Sequence, residues 1–187
     1  DQIGLELMTK AGYSPMAAPE VWEQLIAESK AATGSRSSGF LFATHPDPEE
    51  RQSTLRETAA KLDTRTAERA HTRYLEKLGS IRQRMVADEL ALRQYGRSEL
   101  VFDRLLAQSP DDGLLWYAKG EVCRLRDGED DIARARAAYD KATAAGGAPP
   151  EIHRSVMMIE MKAGARERAQ SAFEAYLKLK PDAPDAE

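Results

Sequence analysis

The stretch "WYAKGEV" runs from Trp116 to Val122 and places an aromatic four residues before Gly120. Residues four apart share a helical face. Downstream, "ARAAYDKATAA" (Ala135 to Ala145) sets Ala135 four residues before Tyr139 and Ala142 three after it. The same ending recurs twice more. "FDRLLAQSP" (Phe102 to Pro110) and "FEAYLKLKP" (Phe173 to Pro181) each open on an aromatic and stop at a proline. Ser98 and Ala169 stand four residues before those aromatics, as Ala135 does before Tyr139. In the middle copy the proline is delayed to Pro149. Such self-similarity is the mark of stacked supersecondary units.

The pattern resembles the tetratricopeptide repeat, a helix pair of about 34 residues read as W, L-G, Y, A, F, A, P. Trp116, Gly120, Ala135, Tyr139 and Ala142 carry the central match, and "RDGEDD" (Arg126 to Asp131) lengthens that repeat. The last copy matches on its second helix, and the segment at about residues 78–110 matches least. The resemblance implies two or three stacked helix pairs with a concave face that holds polypeptide. Tyr117, Glu121 and Arg124 on one first helix would face that groove, with Arg154 and Met158 on the next. Each of these residues also reads as an ordinary solvated or core position.

Strand signals are almost absent along the rest of the chain, so the expected class is all-α. Ile3, Leu7, Met8 and Ala11 fall at helical spacing. Gly12 suits the left-handed position after that helix. Ser14 and Pro15 read as the cap and first residue of the next, which carries Trp22, Leu25 and Ile26. The Gly/Ser segment 33–39 reads as a mobile loop. Asp47 caps a further helix with Glu50 placed to reach back, and Leu55, Ala59 and Leu62 form its apolar stripe. A charged run with few apolar positions follows. The expected organisation is therefore 1–63 and 64–187.

Composition excludes some function classes. The 187 residues carry a net charge of -4, which gives no broad attraction to nucleic acid or to an anionic membrane. No apolar run reaches the roughly 18 residues of a spanning helix. The lone Cys123 cannot form an internal disulfide. His45, His71 and His153 are far apart in sequence, no HEXXH occurs, and no Gly-rich phosphate loop or G-x-S-x-G is present. By itself the sequence carries no enzyme motif.

The first sixty residues nevertheless resemble the tail of the catalytic domain of HtpX/BepA-like zinc metallopeptidases, which are gluzincins. Asp1, Gly4, Met8, Ala11, Gly12, Tyr13 and Pro15 match one family segment, and Phe40, Leu41, Thr44, His45, Pro46 and Arg51 match a second. Envelope members of that family continue into tetratricopeptide repeats. The resemblance implies a larger zinc endopeptidase of the periplasm or cell envelope, working in protein quality control. Its repeats would hold protein substrates or outer-membrane assembly components. The family ligands are HEXXH and a glutamate that would lie four residues before Asp1. This chain is therefore expected to be a fragment or a processed product, to bind no zinc and to be inactive alone. The competing expectation is a repeat adaptor with no catalytic role.

Three residues of the first segment keep several readings. Asp1 matches a family aspartate that bonds a ligand histidine; in this chain alone a frayed, solvated terminus is expected. His45 could bond a backbone carbonyl at the Thr-His-Pro turn, lie over the cleft as an extra zinc ligand, or be exposed and idle. Arg51 could hold a carboxylate near the cleft, or pair on its own helix with Asp47 or Glu50, the reading local sequence favours.

Overall fold

The computed structural model describes residues 1–32, 47–62 and 70–182, the side chain of residue 71 apart. Among these residues the protein is all-α, with ten helices and no sheet. Residue 45 and the loop at 33–39 lie outside the described residues. Two compact units divide the chain, Asp1–Ser80 and Ile81–Glu187. This division and the one read from sequence differ by residues 64–80.

The first unit contains α1 (Gln2–Lys10), α2 (Ala17–Ala31), α3 (Pro48–Ala59) and α4 (His71–Leu78). Gly12 ends α1 at φ +83°, as its position in the sequence requires. The Tyr13 N–H donates to Met8 C=O and the Gly12 N–H to Thr9 C=O, both at 3.0 Å. This pair of bonds satisfies carbonyls that the helix end would otherwise orphan. Asp47 caps α3, its carboxylate accepting from the Glu49 N–H at 2.9 Å, and Pro48 opens the helix where no donor is needed. That bond holds the Asp47 carboxyl below its usual range.

Two sequence expectations fail in this unit. α2 begins at Ala17, not at Pro15. The Ala17 and Ala18 N–H groups donate to the Ser14 and Pro15 carbonyls, so a backbone turn does the capping. Pro15 is fully buried within that turn, and the proline of the helix's first turn is Pro19. The stripe of α1 is also misread. Ile3 is 73% exposed and Leu7 61%, while Leu5 is the buried residue, about 200° around the helix from Ile3. Leu5 packs with Leu55 and Ala59, and Trp22 and Leu62 close the cluster from the side. α3 thus shows the stripe expected of it. Burying a leucine this fully contributes about 1.5–3 kcal/mol.

The second unit strings together α5 (Arg82–Ala91), α6 (Tyr95–Gln108), α7 (Gly113–Arg126), α8 (Asp131–Ala145), α9 (Glu151–Lys162) and α10 (Arg166–Leu179). Loops of three to five residues join them, so sequential helices are spatial neighbours. α6 packs on α7, α7 on α8 and α9 on α10; α7 also touches α5 and α9. The small residues singled out by the repeat are buried: Ser98 in α6, Ala135 in α8, Ala169 in α10. Phe102 and Tyr139 are buried beside them, whereas Phe173 is half-buried and Tyr176 takes the buried aromatic position of α10.

Glycine at 113 and 120 is dictated by close approach. A Cβ on Gly120 would lie 2.3 Å from Tyr139 Cε1, and one on Gly113 would lie 1.9 Å from the Gly146 carbonyl oxygen. Neither neighbour is the loose end of a flexible chain. The α7–α8 hairpin therefore packs at a distance that only glycine permits.

Its turn is held by charge. Asp131 is 2% exposed and accepts both fork nitrogens of Arg126, at 2.8 and 2.6 Å, together with the Gly128 N–H at 2.9 Å. Glu99 of α6 takes the remaining Arg126 nitrogen at 2.7 Å and pairs with Arg134. The Arg126 bonds, with Gly128 and Arg134 in support, hold the Asp131 carboxyl down to about 2 against the opposing effect of burial. On the other side of α8, Arg136 forks onto buried Glu160 of α9 at 2.6 and 2.8 Å.

Candidate functional site

In the first unit Arg51 reaches neither Asp47 nor Glu50. Its Nε and Nη2 donate to the two carboxylate oxygens of Asp1, each at 2.6 Å, across fifty residues of sequence. The guanidinium lies 4.0 Å from the ring centroid of Trp22 on α2. A rigid fork matches a carboxylate in two bonds, and its flat face stacks on an aromatic. Three helices thus meet at one side chain: α1 through Asp1, α2 through Trp22, α3 through Arg51. Asp1 is exposed, as expected of a solvated terminus, but it is paired rather than frayed, and the pairing of Arg51 along its own helix is overturned. Local spacing offered Arg51 two nearby carboxylates; the bidentate partner and the stacking platform outweigh them. Trp22 is the member of this joint that sequence reasoning named only as a residue carried by the second helix.

A cleft of about 430 Å³ opens beside the joint. Asp1, Arg51 and Glu50 supply charge along its wall, Thr54 and Thr58 supply hydroxyls, and Ile3 and Leu55 supply apolar surface. Among the described residues no group of three His, Cys, Asp or Glu side chains is placed to hold a metal ion. The described donor set does not fit a zinc centre.

The groove residues of the second unit converge only in part. Glu121 is 5% exposed and belongs to the packing rather than to a surface. It accepts from the Tyr139 hydroxyl at 2.5 Å and from Arg124 Nε and Nη2 at 3.1 and 2.5 Å. A carboxylate removed from water must be paired this completely. Tyr117 lies beside the cluster, its ring 6.3 Å from that of Tyr139. Burial first, and the Glu121 charge second, push both phenols far above the usual tyrosine range. Ser155 of α9, missed by sequence reasoning, is close to both phenols and works against that rise. Arg124 Nη1 comes within 3.9 Å of Met158 Sδ, which joins α7 to α9. Met158 is 40% exposed, and Arg154 is exposed on the same helix. Tyr117, Glu121, Arg124 and Met158 are therefore brought together. Glu121 is corrected from a groove-facing residue to a buried anchor, because its two oxygens are already spent on Tyr139 and Arg124.

Comparison with known proteins bears on the first unit alone. Residues 1–59 match the model of Peptidase family M48. That span is under a third of the 187 residues, and it contains the Asp1–Arg51–Trp22 joint and the cleft beside it. No curated protein and no solved structure matches the chain. Among the described residues no helix is long and apolar enough to cross a membrane.

Proposed function

We propose that the chain is the C-terminal part of a zinc metalloendopeptidase of the bacterial envelope that acts in protein quality control. The observation that carries this reading is the Peptidase family M48 match over residues 1–59, within which Asp1 is held fixed by Arg51. The HEXXH pair, the general base and the third ligand would come from chain preceding Asp1. Unit 1 would supply a wall of the cleft and a rigid origin for α1, so that a carboxylate at Asp1 could orient a neighbouring imidazole. His45 would then be a further zinc ligand or a plug over the cleft.

In the same reading the second unit is a short tetratricopeptide-like array that holds protein substrates or outer-membrane assembly components. Support comes from the buried Ser98, Ala135 and Ala169 and from the glycine-dependent contact of Gly120 with Tyr139. Short helix pairs that each lack a full core gain one by stacking on their neighbours.

The test is the reading frame ahead of Asp1. An HEXXH within roughly a hundred residues and a glutamate four residues before Asp1 are expected. Absence of either leaves the repeat adaptor without catalysis as the better account. Elemental analysis adds a check on the chain by itself: less than roughly 0.1 equivalent of zinc is expected after dialysis against the metal, since no three-ligand set is found among the described residues.

A further inference from the structure

Within unit 2, α9 packs far more closely on α10 than on α7 or α8, and α7 packs most closely on α8. Two tight hairpins, α7–α8 and α9–α10, therefore share a thinner seam. Ile152 and Ile159 of α9 supply its buried apolar part, against Cys123, Ala135, Tyr139 and Ala142. A hollow of about 160 Å³ interrupts it, walled by Cys123 of α7, Ile132 of α8 and Ile159 of α9. Side chains around a void lose the dispersion partners that a filled core provides.

The rest of the seam is largely ionic. Arg136 of α8 forks onto Glu160 of α9, a carboxylate only 2% exposed. Separating such a pair returns both charges to water, which offsets much of the attraction given up. Lys162 of α9 pairs with Asp127 at the end of α7, and both side chains are more than half exposed. A surface pair of that kind contributes little. Two isoleucines, a void and two ion pairs open at lower cost than the close-packed interior of either hairpin.

The link between α8 and α9 suits such a motion. The Gly146 carbonyl abuts Gly113 and Pro149 is buried, so the link is held at both ends. Gly147 between them is exposed and left-handed at φ +76°, and a Cβ there would meet nothing within 4 Å. A residue with that freedom and no packing role can absorb the backbone change of a hinge.

We propose that the α9–α10 hairpin swings away from α7–α8 about Gly147 as one body while α7–α8 stays folded. Opening uncovers an apolar face that the closed unit hides, with Cys123, Tyr139 and Ala142 on one side and Ile152 and Ile159 on the other. The seam is a gate on that face, and it operates whether or not unit 2 is a polypeptide-holding array.

Cys123 reports the motion, because it is the sole cysteine and is 1% exposed while the seam is shut. The full chain is labelled with a maleimide at urea concentrations below its unfolding transition. The labelling rate should rise with urea at less than about half the slope of global unfolding, because only the seam becomes exposed. Native-state hydrogen exchange should show amides of α9 and α10 opening together with Cys123, about tenfold or more often than the central amides of α7 and α8. Glu160→Gln should speed labelling about tenfold with circular dichroism unchanged. A labelling slope equal to that of global unfolding overturns the proposal. So does exchange confined to the last turn of α7, or a Glu160→Gln chain that labels no faster. Should Glu160→Gln fail to fold, the slope and the exchange pattern of the unaltered chain decide the matter.

Discussion

Arg51 of α3 holds Asp1 at the head of α1 by two parallel 2.6 Å bonds while its flat face rests on Trp22 of α2. The joint ties α1 and α2 to α3, which follows them in sequence only at Pro48. Both partners are partly exposed, which limits the energy of the pair itself. The fork geometry and the stacking raise it above an ordinary surface bridge. Arg51→Ala should lower the stability of unit 1 by about 1–2 kcal/mol. Arg51→Lys should recover less than half of that, because an ammonium cannot make two parallel bonds and stacks less well. Urea unfolding followed by Trp22 fluorescence in a Trp116→Phe background measures both. Full recovery by lysine would show that charge alone matters.

The Gly120–Tyr139 contact yields a sharper mutational test. Tyr139 is buried and tied by its hydroxyl to Glu121, so its ring has nowhere to retreat from a new methyl group. Gly120→Ala should destabilise unit 2 by about 1–3 kcal/mol through overpacking, although alanine is the better helix former by about 1 kcal/mol. Differential scanning calorimetry reports the sign. An unchanged or raised melting temperature would mean that the hairpin can open at no cost.

Glu121 and Arg124 should be strongly coupled. Glu121→Gln removes the charge that answers a largely buried guanidinium, and a loss of about 3 kcal/mol is expected. Arg124→Met alone leaves the carboxylate with Tyr139 as its donor and should cost a similar amount. The double variant Glu121→Gln with Arg124→Met should recover at least 1 kcal/mol relative to the sum of the single changes. Additive losses in that cycle would exclude the coupling.

Acid should weaken unit 2 in a defined window. The Asp131 carboxyl is held down to about 2, against an ordinary aspartate value near 3.9 in the unfolded chain. A depressed carboxyl contributes its stability fully above the unfolded value and loses it as pH falls through the folded one. About 2 kcal/mol should therefore disappear between roughly pH 4 and pH 2. Arg136 holds Glu160 low as well, which adds in the same direction. Melting temperatures between pH 5 and 2 should fall steeply for the unaltered chain and less so for Asp131→Asn, which starts lower.

Sequence is most informative where the deciding contact is local. The Gly12 helix end and the Asp47 cap depend on partners within five residues, and both are found where their spacing placed them. Gly120, Ala135, Tyr139 and Ala142 are legible because helix pairs constrain size at fixed offsets, and three of the four are fully buried residues with side chains. What spacing cannot show is which face of a helix finds a partner. Ile3 and Leu7 form as good a stripe as many buried ones, yet Leu5 is what meets Leu55 and Ala59. Nor does spacing reveal competition between partners. Arg51 had acidic neighbours along its own helix and took one fifty positions away. Glu121 was expected to face a groove, but the phenol of Tyr139 and the fork of Arg124 hold it buried.

The charges around the α7–α8 turn bear on the order in which the second unit forms. Arg126 and Asp131 are five residues apart, joined by a four-residue loop in which Asp127 and Asp130 already adopt left-handed backbone. Closing so short a loop costs little chain entropy. The hairpin can thus form before its neighbours arrive, and Glu99 of α6 and Glu160 of α9 then find arginines already on display. Assembly would spread from the middle of the unit toward both ends. Pulse-labelled hydrogen exchange should show amides of α7 and α8 protected ahead of those of α5 and α10.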